Sequence, residues 1–353
     1  MRKALLILII FACLAVPACA DGLVDERGLN DAVPAGIETS VGDDTDKSLK
    51  NIWQNFKSEC LSVIKQSGKQ AVSVIVVALA CGVLNIFSFS ESTPDYIQLG
   101  ACAAIAIICV GDMGSYIDTS VNALNELNTF SKAILPAMCT ACAACGALNA
   151  AAAKYAASAL FMDIFVTVVH NVIVPLIYAY IAVIIARAAF DNKCLEGIGK
   201  FLKWGCTGLM SVFTLTFTVY LSISSAISSS ADAVAGKLAK TAISAALPVV
   251  GGIISDAASS VVAGAEVIKN TAGVFGLIVV LGICAAPFAV LGINYLVFKA
   301  SSVAVSSFSP PRITGLIGGL GTAFGMLLAV IGCSGIFLFF SIMSCIKAVN
   351  VLG

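Results

Sequence analysis

Apolar stretches long enough to cross a bilayer follow one another along most of this sequence. They run from Gln70 to Phe87, Ile97 to Gly111, Ala133 to Phe161, Ile164 to Ala186, Cys206 to Ile227, Thr241 to Ala265, Ala272 to Phe298 and Ile313 to Ile346. Each reaches or approaches the ~20 residues a spanning helix needs. Hydrophobic residues make up 59% of the 353 positions, charged residues only 11%, and the mean hydropathy is +1.00. A water-soluble fold of this length would leave much of that apolar surface wet, so the sequence predicts an all-α, polytopic helical membrane protein. The formal net charge of +0 gives no electrostatic footprint for nucleic acid, and a single histidine among scattered carboxylates outlines no catalytic centre. Walker A, nucleotide-binding glycine and HExxH patterns are absent from the sequence. No enzymatic activity, metal or cofactor is expected, and any energised transport would draw on another chain or an ion gradient.

The N-terminal residues read as targeting information. Arg2 and Lys3 precede the apolar run ALLILIIFACLAV, and Ala18-Cys19-Ala20 supplies small residues for signal-peptidase cleavage before Asp21. Residues 1–20 are thus expected to be a signal peptide, leaving the mature N-terminus outside the cytoplasm. Val16-Pro17-Ala18-Cys19 also loosely resembles a lipobox, which would make Cys19 a lipidated residue, although proline is unfavourable there. Residues 21–46, acidic and rich in loop formers, read as a flexible exported leader. Over 47–69, Leu49, Ile52, Trp53, Phe56, Cys60, Val63 and Ile64 recur at helical spacing, with Lys50, Lys57, Lys65 and Lys69 mostly off that stripe. This helix lies either on the membrane surface or on the protein's own outer face.

Residues 70–353 then form the polytopic domain, and its charges constrain the threading. Eight single crossings from an outside N-terminus would put the loop from Arg187 to Gly205, with Arg187, Lys193, Lys200 and Lys203, outside. Short cationic loops stay inside. Two segments carry their own breakers: Leu135-Pro136 within 133–157, and Leu247-Pro248 with Gly251-Gly252 within 240–267. If both are re-entrant hairpins that enter and leave on one side, the loops at 187–205 and 299–312 both fall inside. The two Leu-Pro segments also suggest a parallel internal repeat, with units of about 97–187 and 206–298. Duplicated broken segments point to a pathway or binding site, so Leu135, Pro136, Leu247, Pro248, Gly251, Gly252 and Asp256 are the candidate hairpin or gate residues.

Three further polar residues lie within apolar runs: His170, Asn171 and Glu266. An intramembrane ionisable group raises a functional question, but a neutral histidine hydrogen-bonded to a neighbouring helix meets the same pattern, and Asp256 can cap a helix or face water. The fourteen cysteines include Cys139-x-x-Cys142-x-x-Cys145, which sits among small residues without a nearby histidine and reads as packing rather than a metal site. Gly315, Gly319, Gly321 and Gly325 include small-xxx-small spacings that bring helices close, within the chain or between subunits.

The stretch ALPVVGGIISDAASSVVAGAEVIKNTAGVFGLIVVL, 246–281, resembles the stage III sporulation protein AE family of endospore-forming bacteria, and the layout is similar over nearly the whole chain. The resemblance implies a multi-pass protein of the mother-cell membrane around the forespore. It further implies membership of a secretion-like channel complex with a cytoplasmic ATPase, ring-forming membrane proteins of the same operon and a forespore membrane partner, and self-association into a homo-oligomer. It carries over no catalytic residues. A structural scaffold without a conduction path and an independent ion-coupled transporter are the alternatives, the latter with His170, Asp256 and Glu266 as coupling groups.

Overall fold

The computed structural model describes residues 26–34, 37, 39–40, 45–86, 93–144, 148–190, 192–246 and 251–347, with side chains left out at 26, 45, 86, 93–94, 148–153, 223–246, 251–266, 268–269 and 347. Among these residues every regular element is helical: α1 (Glu26–Asp31), α2 (Thr45–Ile86), α3 (Thr93–Ala144), α4 (Leu148–Val168), a π-helical turn (Val169–Ile173), α5 (Val174–Phe190), α6 (Lys193–Ala246), α7 (Gly251–Val305) and α8 (Pro311–Lys347). Among the described residues six stretches are long and apolar enough to cross a membrane: Asp46–Asn85, Asp95–Ala144, Lys154–Phe190, Lys193–Ser222, Asn270–Val305 and Pro311–Ile346.

α8 is the hub. It packs against α3, α4, α5, α6 and α7, while α2 lies outside it, on α3 and α7. Glycine makes the α7–α8 contact close, as helix pairs in a bilayer gain from backbone approach rather than from a hydrophobic driving force. A Cβ on Gly318 would stand 2.9 Å from Ser302 Oγ, one on Gly321 3.3 Å from Phe298 Cβ, and one on Gly325 3.0 Å from the Tyr295 ring. Gly319 faces Ile184 of α5 in the same way. The small-residue stripe of α8 therefore closes contacts within the chain at these positions, although a Cβ on Gly315 would meet open space. On the other flank of α8, Phe161 and Phe165 of α4, Phe213 and Phe217 of α6 and Phe337 interlock, with ring centroids 4.7 to 5.7 Å apart and several edge-to-face pairs.

The ends of the bundle are distinct. One cavity is lined by Asn85, Gln98, Arg187, Ala188, Phe308 and Arg312, so the adjoining ends of α2 and α3, the last turn of α5 and the start of α8 gather at one end. At the opposite end Lys154 Nζ donates to Ser344 O at 2.8 Å, Cys142 Sγ to Cys345 O at 3.3 Å, and Ile346 packs on Gly273. The loops at 187–205 and 299–312 thus share a side, as the charge argument requires of them.

Several expectations are corrected. Leu135-Pro136 makes no chain reversal: α3 continues through Pro136 to Ala144. Proline removes one helical hydrogen bond, but Ile134, Leu135 and Met138 are all buried around it and hold the helix together. The 47–69 amphipathic stretch is no separate helix either, since α2 runs without interruption into the following apolar segment and spans 42 residues. Nor is all of the 21–46 leader free of structure. Leu29 of α1 is 2% exposed in the core, Ile37 comes within 3.0 Å of where a Gly282 side chain would stand, and Thr39 and Ser48 share a hydrogen bond of 3.0 Å. Apolar side chains that find a groove outweigh the acidic composition around them. The signal peptide, residues 1–20, lies outside the described residues.

Candidate functional site

The end where these helix termini meet has the geometry of a vestibule. Its cavity is about 670 Å³ and combines amides, the Arg187 and Arg312 guanidinium groups and the proline-rich 307–311 connection. α5 delivers Arg187 in its last turn, where a cation also complements the helix dipole. Arg187 Nη2 donates to Glu196 Oε2 at 3.1 Å, and Lys200 pairs with Glu196 Oε1 at 2.7 Å one turn further along α6. Arg312, at the start of α8, pairs with Asp95 at 3.3 Å and so ties α8 to α3. These partly exposed pairs contribute little stability individually. Their effect is to hold helix ends in register around the cavity, whose edge the sequence marked only as two cationic loops. Asn85 and Gln98, which complete it, carried no signal in the sequence because single amides near helix ends are commonplace.

Elsewhere along the helices several polar groups are joined in pairs. His170 Nε2 donates to Asn125 Oδ1 of α3 at 3.0 Å. The histidine sits in the π-helical turn, where Val174 N–H reaches back to Val169 O. Pro175 follows at once, and since proline cannot donate to the carbonyl four residues back, the wider turn absorbs the resulting mismatch. Asn171 is exposed on the same turn and does not join His170. Ser67 of α2 donates to Asn294 Oδ1 of α7 at 2.9 Å, and Asn294 Nδ2 donates to Val290 O at 2.8 Å. Both side chains are 0% exposed. Gln70, one turn after Ser67, donates to Ile108 O of α3 at 3.2 Å.

Of the proposed gate residues, only Leu135 and Pro136 have described side chains. Leu135 is buried and Pro136 half-buried within α3. Leu247 and Pro248 lie outside the described residues. Gly251 and Gly252 are the first residues of α7, and Asp256 and Glu266 belong to the same helix. The side chains of Asp256 and Glu266 are not described. The first Leu-Pro motif therefore sits inside a helix, while the second lies outside the described residues.

The bound on chemistry is equally concrete. Among the described residues no three histidine, cysteine or acidic side chains come together as a metal site. Seven of the cysteines, Cys81, Cys102, Cys109, Cys139, Cys142, Cys206 and Cys345, are buried as small packing groups. If the His170–Asn125 bond is structural, His170→Ala and Asn125→Ala should each cost little and couple by about 0.6 kcal/mol, the average for interhelical bonds in a bilayer. A double-mutant cycle on the unfolding of the purified protein reads this directly, and strictly additive losses would show the pair to be uncoupled.

A hub-and-shell bundle of six membrane-length helices with a charged vestibule at one end and internally paired polar residues defines a multi-pass helical membrane protein. The profile of the family described as "Stage III sporulation protein AE (spore_III_AE)" matches residues 35–349, and the chain belongs to that family. It is 22% identical over 270 residues to stage III sporulation protein AE of Bacillus subtilis (strain 168), covering 75% of this chain and 67% of that one. No solved structure matches. Membership ties the chain to sporulation.

Proposed function

We propose that this chain is the multi-pass membrane component of a secretion-like channel complex linking mother cell and forespore, and that it works without catalysing a reaction. The observation that carries this reading is the family match from residue 35 to 349. It covers the whole six-helix bundle, so the relationship concerns the architecture and not a borrowed module. In this reading the vestibule end faces the mother-cell cytoplasm, because Arg187, Lys193, Lys200, Lys203 and Arg312 gather on that side. A cytoplasmic ATPase would meet the chain there, ring-forming membrane proteins and the forespore partner on the opposite side, and further copies of the chain at its lipid-facing flanks.

Single-cysteine labelling in a cysteine-free background tests the orientation. Lys200→Cys should react with a membrane-impermeant maleimide only after the mother-cell membrane is permeabilised, and reaction in intact cells would reverse the assignment. For function, a deletion strain should regain heat-resistant spores when complemented with His170→Gln, Asp256→Asn and Glu266→Gln combined. Failure of that variant while the complex still co-purifies would revive the ion-coupled alternative. A scaffold, by contrast, would show every loss of spores accompanied by loss of co-purifying partners.

A further inference from the structure

Lysines near helix ends in a bilayer normally extend towards the interface. Lys299 does the reverse. It lies about 9 Å from the last residue of α7, yet its ammonium donates to Gly318 O at 2.9 Å and Thr322 Oγ1 at 2.8 Å, and Thr322 is about 16 Å along α8 from Pro311. The charge is thus drawn into the bundle and held there by neutral groups. Its environment is open on two sides. One cavity of about 590 Å³ is lined by Tyr180, Ser302, Thr314 and Thr322 together with Lys299, and a second of about 570 Å³ by Lys203, Thr207, Tyr295, Thr322 and the same lysine.

Two ammonium groups, Lys299 and Lys203 of α6, therefore line one cavity. Among the described residues no carboxylate pairs with either, since the ion pairs at this end use Arg187, Lys200 and Arg312. Glu196, the nearest acid along α6, is already shared between Arg187 and Lys200. Two like charges facing one cavity repel, and the half-buried Lys299 in particular is left without a counter-charge. A third residue lines the same cavity: Tyr295, whose ring packs closely on Gly325 and whose phenol is a further donor type. The threonine and serine hydroxyls nearby are spent on their own helices, as Thr207 donates to Lys203 O at 2.9 Å and Ser211 to Thr207 O at 2.8 Å. The donors left to serve a ligand are two cations and a phenol, all suited to an oxyanion.

We propose that the cleft between α6, α7 and α8 binds a phosphate-bearing anion through Lys203, Lys299 and Tyr295. Basic pockets between membrane helices on the cytoplasmic side hold phospholipid headgroups in this manner. A free phosphate group offers the same chemistry, so the experiment separates the two sources.

The full-length protein, purified in a neutral detergent, is titrated with phosphatidylglycerol, with phosphatidylcholine and with inorganic phosphate, and bound lipid is counted by native mass spectrometry alongside the thermal midpoint. Phosphatidylglycerol should be retained at least tenfold more strongly than phosphatidylcholine. Lys203→Gln should reduce that preference several-fold, Lys203→Gln with Lys299→Gln should abolish it, and Lys299→Arg should keep most of it. Lys203→Gln makes the test independent of folding, because the Lys203 side chain holds no other helix in place. Lys50→Gln, on the exposed face of α2, should change nothing. If inorganic phosphate at millimolar concentration raises the midpoint of the wild type and displaces phosphatidylglycerol, the natural ligand is a soluble phosphate. If it does neither, the ligand is the lipid headgroup. Equal retention of both lipids, or undiminished retention of phosphatidylglycerol by the double variant, overturns the proposal.

Discussion

Gly82→Ala is expected to cost about 1–3 kcal/mol of stability, at the upper end of that range for a single added methyl group. Gly82 lies in the last turns of α2, where a Cβ would run into the backbone carbonyl oxygen of Phe308 in the α7–α8 connection. A flexible side chain could move aside, but a carbonyl can move only with its peptide. The peptide is pinned: Phe308 N–H bonds to Val305 O at 3.2 Å, and Ser309 Oγ donates to Ala78 O, one turn before Gly82, at 3.4 Å. The added methyl group must therefore separate α2 from the connection that also forms the vestibule wall. Gly68→Ala in the same helix is the control, since a Cβ there meets nothing within 4 Å. On helix propensity alone that change should be neutral or stabilising by up to about 1 kcal/mol. Thermal midpoints of the purified proteins should thus move in opposite directions or at least separate clearly. Equal midpoints for Gly82→Ala and the wild type would mean that α2 does not seat against this connection.

Which parts of this molecule were legible in its sequence follows from which forces act locally. Apolar length is local, and it sufficed for an all-α membrane protein; the shared end of the loops near Arg187 and Arg312 was reached in the sequence only by assuming a reversal at Leu135-Pro136 that the helix does not make. The small-residue stripe of α8 was legible as a close contact, but not its partner, because Gly318, Gly321 and Gly325 meet α7 whereas Gly319 meets α5. Proline acts differently in two places. At Pro136 the buried neighbours keep the helix intact, whereas next to Pro175 the backbone changes its hydrogen-bond register to a π-helical turn. The difference is tertiary, and no breaker count along the chain reports it. The buried Ser67–Asn294 pair and the inward-held Lys299 were invisible for a related reason. Each is a contact between residues far apart in the chain, and serine, asparagine and lysine near apolar runs are otherwise unremarkable in sequence.

The Ser67–Asn294 pair sets the last expected result. Asn294 lies about 16 Å along α7 from Val305, close to the middle of a ~30 Å hydrocarbon core if that helix crosses normally. Asn294→Asp replaces an amide that donates to Val290 O by a carboxylate that cannot when ionised, in a site with no solvent exposure. The charge alone should cost about 2.5–3.5 kcal/mol at the centre of a helix in a bilayer. Ser67 can still donate to the new oxygen, but one such bond returns only about 0.6 kcal/mol on average. Desolvation therefore wins, and the variant should be poorly inserted or should unfold well below the wild type. Asn294→Leu removes the same bonds without adding charge, and the Ser67 hydroxyl can then bond to a carbonyl one turn earlier in α2. Its loss should be several-fold smaller, and Ser67→Ala should be smaller still. Protease resistance of membrane-inserted protein, read with thermal midpoints, orders the three variants. If Asn294→Leu proved as damaging as Asn294→Asp, the hydrogen bonds and not the burial would be what holds α2 to α7.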